Sequence, residues 1–527
     1  MIPMSASKNK KQRLNATVDP KKAEEEAKRI KENKKYKTIG ICVAVLFVLS
    51  IAFILLFNTM MYNWLPAVSV NGRNFSAAEF NFFYMAEYNE LANSSAESKP
   101  TTGYSFREQK YDDLYTWYDY LKNEAKTALT QYTAIYNEAQ AKGYVLPDEE
   151  KANIEAEITS LRNAAASSNV STKAYLENVY GTGMTESVYR KCLEFYTYVS
   201  SYYSHIVDTF QYTDDELAAE YAEIADDYDY FSFDLFFVEA DMGTEEEPIS
   251  FTNAMAGAKE EAEMLKAHTA DEASFVAAVQ DYYNFHAEEG EDPQTASADS
   301  LGTGFQGRYV SMIYSWADEW LKDAAREAND VEIFPVGESE EDTRHGYYVV
   351  LFKERDTNDY AGVKASMIAI SPETVTKEEG ETDEAYALRQ AAAEQAADSK
   401  IGEIKAAWES GAYATTDDLI AAFSEDIGDN HNDYDALSKH DLYDSFNDWL
   451  FDEARAENDS LTITEGSYRY LLIYKGHSDI LNKFYAKNSL DSKNFTAWAE
   501  GVAVGYEAKE HWAQRYTGGI YYERSLY

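Results

Sequence analysis

Trp320-Leu321-Lys322-Asp323-Ala324-Ala325-Arg326-Glu327-Ala328-Asn329-Asp330 returns about 130 residues later as Trp449-Leu450-Phe451-Asp452-Glu453-Ala454-Arg455-Ala456-Glu457-Asn458-Asp459. The shared pattern is W-L-x-D-x-A-R-x-x-N-D. Each copy leads into an apolar β-type run ending in lysine, Tyr348–Lys353 and Tyr470–Lys475. Two copies at a spacing far beyond the roughly 20–50 residues of solenoid repeats mean a duplicated domain.

The surroundings of each copy follow one order. In the first, a strand over 231–238 precedes helices over 252–267 and 271–279. A loop at 287–300, the Trp-Leu helix and the closing strand Tyr347–Lys353 follow. In the second, a strand over 363–370 precedes helices over 384–409 and 417–423. An acidic loop, a helix over 441–456 and the strand 468–475 complete it. Strand, helices, loop, helix, strand is an α+β plan in which helices cover a small sheet.

The region before these units reads as helical. Val68–Arg73 alternates and turns at Asn71-Gly72. Ser76, with Glu79 three residues on, forms a capping box for a helix carrying Phe80, Phe83, Tyr84 and Tyr88. Further helices are expected over 111–142, 148–165 and 172–210, the last interrupted at Gly181-Thr182-Gly183. An amphipathic helix over 495–512 follows the second unit, with Phe495, Trp498, Val502 and Tyr506 at helical spacing.

Charge divides the chain. Residues 1–37 hold 12 Lys/Arg and 5 Asp/Glu, a net of +7 against −46 for the whole, which leaves −53 for the rest. An acidic body repels phosphates, so nucleic acid is not an expected partner. Residues 38–58 contain an apolar run without a charge, about 30 Å long as a helix, enough for a bilayer core. Its basic flank sets residues 1–37 on the cytoplasmic side and the bulk outside. The run exceeds a signal-peptide core and no A-x-A site follows it, so an uncleaved single-pass anchor is expected. The two cysteines, Cys42 and Cys192, offer no structural disulfide.

Reactive constellations are sparse. None of the 8 histidines forms H-x-x-x-H, and no G-x-S-x-G, Walker or dinucleotide sequence occurs. The acids between Asp426 and Asp435 lack EF-hand glycine spacing and read as a solvated loop. No cofactor and no metal are expected.

The order of these segments resembles the PrsA/SurA-type extracytoplasmic foldases. The start V-N-G followed by S-x-x-E-F at 70–80 is similar to theirs. So are Leu176–Thr185, with its G-x-G-x-T, and the helix beginning at Tyr212-Thr213-Asp214. Both duplicated units resemble parvulin-type peptidyl-prolyl isomerase domains. Leu301-Gly302 with Phe305 is similar to the parvulin "G-D-L-G-x-F" loop. Phe423-Ser424-Glu425-Asp426 is similar to "Y-S-E-D", and Gly346–Val350 to "G-Y-H-I-I". The resemblance implies a basic tail (1–37), a transmembrane helix (38–58), a helical chaperone domain (66–228), parvulin-like domains at 229–357 and 358–477, and a C-terminal helical segment (478–527) packing on the chaperone core.

The family histidines are replaced in both units. Leu235 and Met367 stand in the first strand; in the closing one stand Tyr348 in the first unit and Arg469 or Tyr470 in the second. Phe305, Met312 and Tyr348 remain as candidates to line a proline pocket. The resemblance implies a membrane-anchored chaperone of a Gram-positive-type envelope, binding unfolded or newly secreted polypeptides. Its parvulin-like units are then weak or inactive. Residual isomerase activity in the first unit, a non-catalytic envelope scaffold, and homo-oligomerisation stay open.

Overall fold

The structure is a computed structural model that describes residues 43–51, 53, 57, 60–96, 98–244, 246–287, 292–337 and 339–524. The expected basic tail and much of the expected membrane segment lie outside these residues. Residues 43–51 are helical and exposed. Among the described residues no helix is long and apolar enough to cross a membrane. The chain forms two compact units, Met1–Phe210 with Asn494–Tyr527, and Gln211–Lys493.

The first unit is mostly helical. Strands β1 (Pro66–Val70) and β2 (Arg73–Ser76) pair antiparallel around Asn71 and Gly72. Both turn residues have positive φ, 46° and 86°, as a tight primed hairpin turn requires. Ser76 and Glu79 make the reciprocal cap of the helix Ala77–Asn93. Its Phe80, Phe83, Tyr84 and Tyr88 are buried against Trp117, Leu121, Phe195 and Tyr202 from the helices Trp117–Lys142 and Glu186–Val207. The helix expected from residue 111 starts at Trp117. The Asp112 carboxylate accepts the amides of Leu114 and Tyr115, turning the chain, and Thr116 then caps.

The end of the chain completes this core. The helix expected over 495–512 instead runs Leu481–Ala503, and Gly505 at φ 83° redirects the chain. The short strand Ala508–Glu510 pairs with β1. Beyond it Ile520 is fully buried, and Tyr522 stacks on Tyr88 with centroids 4.4 Å apart. The Asn81 side chain donates to Gly518 O at 3.1 Å and accepts from Gly518 N at 2.8 Å.

The second unit is α+β and contains two four-stranded antiparallel sheets. One is ordered β4-β3-β6-β5, from β3 (Tyr230–Glu239), β4 (Gly302–Gln306), β5 (Val331–Val336) and β6 (Gly346–Asp356). The other is β8-β7-β10-β9, from β7 (Ala361–Ile370), β8 (His431–Leu437), β9 (Ser460–Glu465) and β10 (Tyr468–Ile480). Alternation assigns the faces. Phe231, Phe233 and Leu235 pack towards the short helices Gly307–Ile313 and Asp318–Lys322. Phe236 and Val238 pack under the long helices Phe251–His268 and Glu272–His286.

The duplicated motif is not a long helix. Its helical part ends at Lys322 in one copy and Leu450 in the other. The Asp323 and Asp452 carboxylates accept the amides of Ala325 and Ala454, each at 2.9 Å, which turns the chain out of the helix. Arg326 lies 4.5 Å over Trp320, and Arg455 4.6 Å over Trp449. Asn329 and Asn458 take left-handed backbones at φ 74° and 72°. Their amides reach Phe352 O and Tyr474 O, each at 2.8 Å. The repeat preserves a helix stop that aims β5 and β9 onto the closing strands. The expected acidic loop is also partly strand, because β8 pairs with β7.

Candidate functional site

Register identifies equivalent positions in the two sheets. Leu235 pairs with Val350, and Met367 with Leu472. Val350 and Leu472 each lie two residues beyond the matched tyrosines Tyr348 and Tyr470. Leu235 and Met367 are therefore the same position in two copies, and so are Tyr348 and Tyr470. All four side chains are half-buried on the face covered by the short helices.

In the first sheet this face is filled with rings. Trp316 lies flat on Tyr348, with centroids 4.6 Å apart and planes at 2°. Tyr314 meets Phe305 at 5.5 Å and Phe233 at 5.3 Å. The Arg344 guanidinium covers Phe237 at 3.8 Å and donates to Tyr348 Oη at 2.6 Å. Of the three residues proposed from sequence, Phe305 and Tyr348 border this cluster. Met312 stands apart, 77% exposed. Trp316 and Arg344 carry no sequence signal, since both come from irregular segments. In the second sheet Tyr470 packs edge-on to the buried Phe446 at 5.0 Å, beside Met367 and Trp449. Such a face binds or excludes apolar groups; among the described residues it presents no nucleophile with an adjacent base.

The opposite face of each sheet carries a lysine–carboxylate contact. Lys353 Nζ lies 3.4 Å from the fully buried Asp234 and 2.6 Å from Glu272, the first residue of the helix Glu272–His286. The equivalent Lys475 lies 2.7 Å from Asp433. Asp433 also accepts the Ser366 hydroxyl, and Ser366 reaches Thr416, the first residue of the helix Thr416–Ala422, at 3.2 Å. Asp234 pairs with Gly302 across β3 and β4, and Ser366 with Asp433 across β7 and β8. The carboxylate has changed strands while the lysine has kept its place. Burial pushes the Asp234 carboxyl above its usual range despite Lys353. Burial also acts on Asp433, but Lys475 and Ser366 outweigh it and hold the carboxyl below that range. Asp234 was legible as the lone charge within Phe231–Val238.

The two sheets are joined by a stacked pair. The Tyr230 and His440 rings lie 3.8 Å apart at 3°, and His440 Nε2 meets Asp356 at 2.9 Å. Cys192 is buried, and burial pushes its thiol well above the usual range. Among the described residues no three His, Cys, Asp or Glu side chains are placed to hold a metal ion.

No family model matches the chain, and no curated protein matches it. Among solved structures it is similar to a foldase protein, PrsA, from Lactococcus lactis. That likeness has 11% identity over 69% of this chain and 93% of the other, with a TM-score of 0.18. It is also similar to a SurA-like chaperone of Campylobacter jejuni, one of the pair PEB4 and Cj1289. Here identity is 15% over 55% of this chain and 83% of the other, with a TM-score of 0.16. Both likenesses are slight.

Proposed function

We propose that this chain is a PrsA/SurA-type extracytoplasmic chaperone that binds unfolded or newly secreted polypeptides, held at the membrane by residues 38–58. In this reading the helical region forms the chaperone core and the two α+β domains are parvulin-like arms that bind without catalysing. One observation carries the absence of chemistry. Leu235 with Tyr348, and Met367 with Tyr470, occupy equivalent register positions where the parvulin pattern sets histidines.

The energetics support that reading. Rotation about a peptide bond crosses ~18–20 kcal/mol of lost resonance. A catalyst must bind the twisted amide more tightly than the planar one, which takes polar groups aimed at the carbonyl. The ring cluster around Tyr348 offers apolar contact, and Trp316 already occupies it.

Suppression of the aggregation of a chemically unfolded client tests the reading. The protein is expected to hold the client soluble near one-to-one stoichiometry. A protease-coupled assay on a proline tetrapeptide tests the catalytic alternative, and the expected rate equals that of buffer.

A further inference from the structure

The helices Phe251–His268 and Glu272–His286 leave a slot of about 400 Å³ between them. Met264, Leu265, Ala278, Tyr282 and Phe285 line it. Met264 is 56% exposed and Phe285 82% exposed. The slot lies on the helical side of the first sheet, away from the face that holds Leu235 and Tyr348. Its size suits side chains rather than a folded partner.

A second cavity of about 920 Å³ adjoins the slot and shares Glu261, Tyr282 and His286 with it. Glu239 and Asp241 line this trough with Glu261, and Asp281 lines the slot. Among the described residues no lysine or arginine lines either cavity. His286 meets Glu261 at 3.4 Å, and His268 Nδ1 is taken up by Met264 O at 2.7 Å. The slot is mainly apolar, and the adjoining trough adds the carboxylates of Glu239 and Asp241.

We infer that this slot and trough together bind a segment of extended polypeptide in which apolar side chains stand next to lysine or arginine. The apolar side chains enter between Met264 and Phe285 and remove those exposed surfaces from water. The cation lies along Glu239 and Asp241, with Glu261, which His286 meets, at the junction with the slot; carboxylates there favour positive charge. The inference rests on the chaperone reading and deepens it by naming the segment chosen.

Fluorescence anisotropy with the full chain and two labelled pentapeptides tests it. One peptide is Lys-Leu-Phe-Leu-Lys; its twin carries Glu at both ends. The Lys peptide is expected to bind at least about tenfold more tightly than the twin at low salt. The double variant Met264→Ser with Phe285→Ser alters exposed side chains and keeps the fold. It is expected to lose at least about tenfold in affinity for the Lys peptide. Glu239→Gln with Asp241→Asn is expected to abolish discrimination between the twins. Equal binding of the twins by the wild type, or unchanged affinity in the slot variant, overturns the inference. Aggregation suppression is measured on the same samples. A wild type that protects clients yet binds the twins equally sinks the slot alone. A wild type that fails to protect clients sinks the chaperone reading, while the peptide affinities still decide the slot.

Discussion

Asp234 and Asp433 meet equivalent lysines from different strands, Lys353 at 3.4 Å and Lys475 at 2.7 Å. Asp234 is fully buried and neither of its oxygens has a hydrogen-bond partner. Asp433 is hydrogen-bonded by Lys475 and Ser366. The two carboxyls are displaced in opposite directions, Asp234 upward and Asp433 downward.

Opposite mutational signs are therefore expected. A raised carboxyl pKa means that the folded state holds its proton longer, so stability is lost as pH rises through that value. Asp234→Asn removes the buried charge and is expected to stabilise the protein at pH 7. The gain should shrink towards pH 4. A depressed pKa contributes stability that is present above the usual carboxylate range and lost as pH falls through the folded value. Asp433→Asn is accordingly expected to destabilise at pH 7. Thermal melts at pH 4 and pH 7 read both effects.

Arg326 and Arg455 clamp equivalent tryptophans and tie equivalent carboxylates, Asp323 at 3.4 Å and Asp452 at 2.9 Å. A lysine keeps the charge but loses the planar stack. Arg326→Lys is expected to weaken the first sheet by about 1 kcal/mol. Hydrogen exchange should quicken in β5 and β6 and stay unchanged in β9 and β10. Arg455→Lys should give the mirror result.

The left-handed Asn329 and Asn458 set where each helix stop releases its strand. A β-branched residue there is expected to cost about 1–2 kcal/mol. Asn329→Val should lower the melting temperature, and Asn329→Gly should leave it close to wild type.

His440 joins the two sheets by stacking on Tyr230 and by its 2.9 Å contact with Asp356. His440→Ala is expected to quicken proteolytic cleavage of the connecting residues 357–360 while each sheet keeps its own exchange protection. Equal cleavage of variant and wild type would show that the stack does not hold the junction.

Several of these features were legible from residue patterns. The repeat at Trp320 and Trp449 located both sheets, and the apolar runs around Leu235 and Met367 placed equivalent positions in register. Ser76 and Glu79 gave away a helix start because capping is local. The repeat's helix is shorter than its residue pattern suggests, because Asp323 and Asp452 stop it through their own side chains. β5 escaped notice because Pro335 interrupts an edge strand whose pairing depends on β6. The ring of Trp316 on Tyr348 and the slot between Met264 and Phe285 depend on contacts between separate segments. Periodicity does not report such contacts.

The proposed activity is the binding of unfolded chains without a chemical step. Light scattering of a chemically unfolded client, diluted into buffer with and without the full chain, tests it most directly. Scattering should fall in proportion to added protein and vanish near equimolar ratio. Scattering that stays at the level of buffer alone, even at several-fold excess of protein, would contradict it.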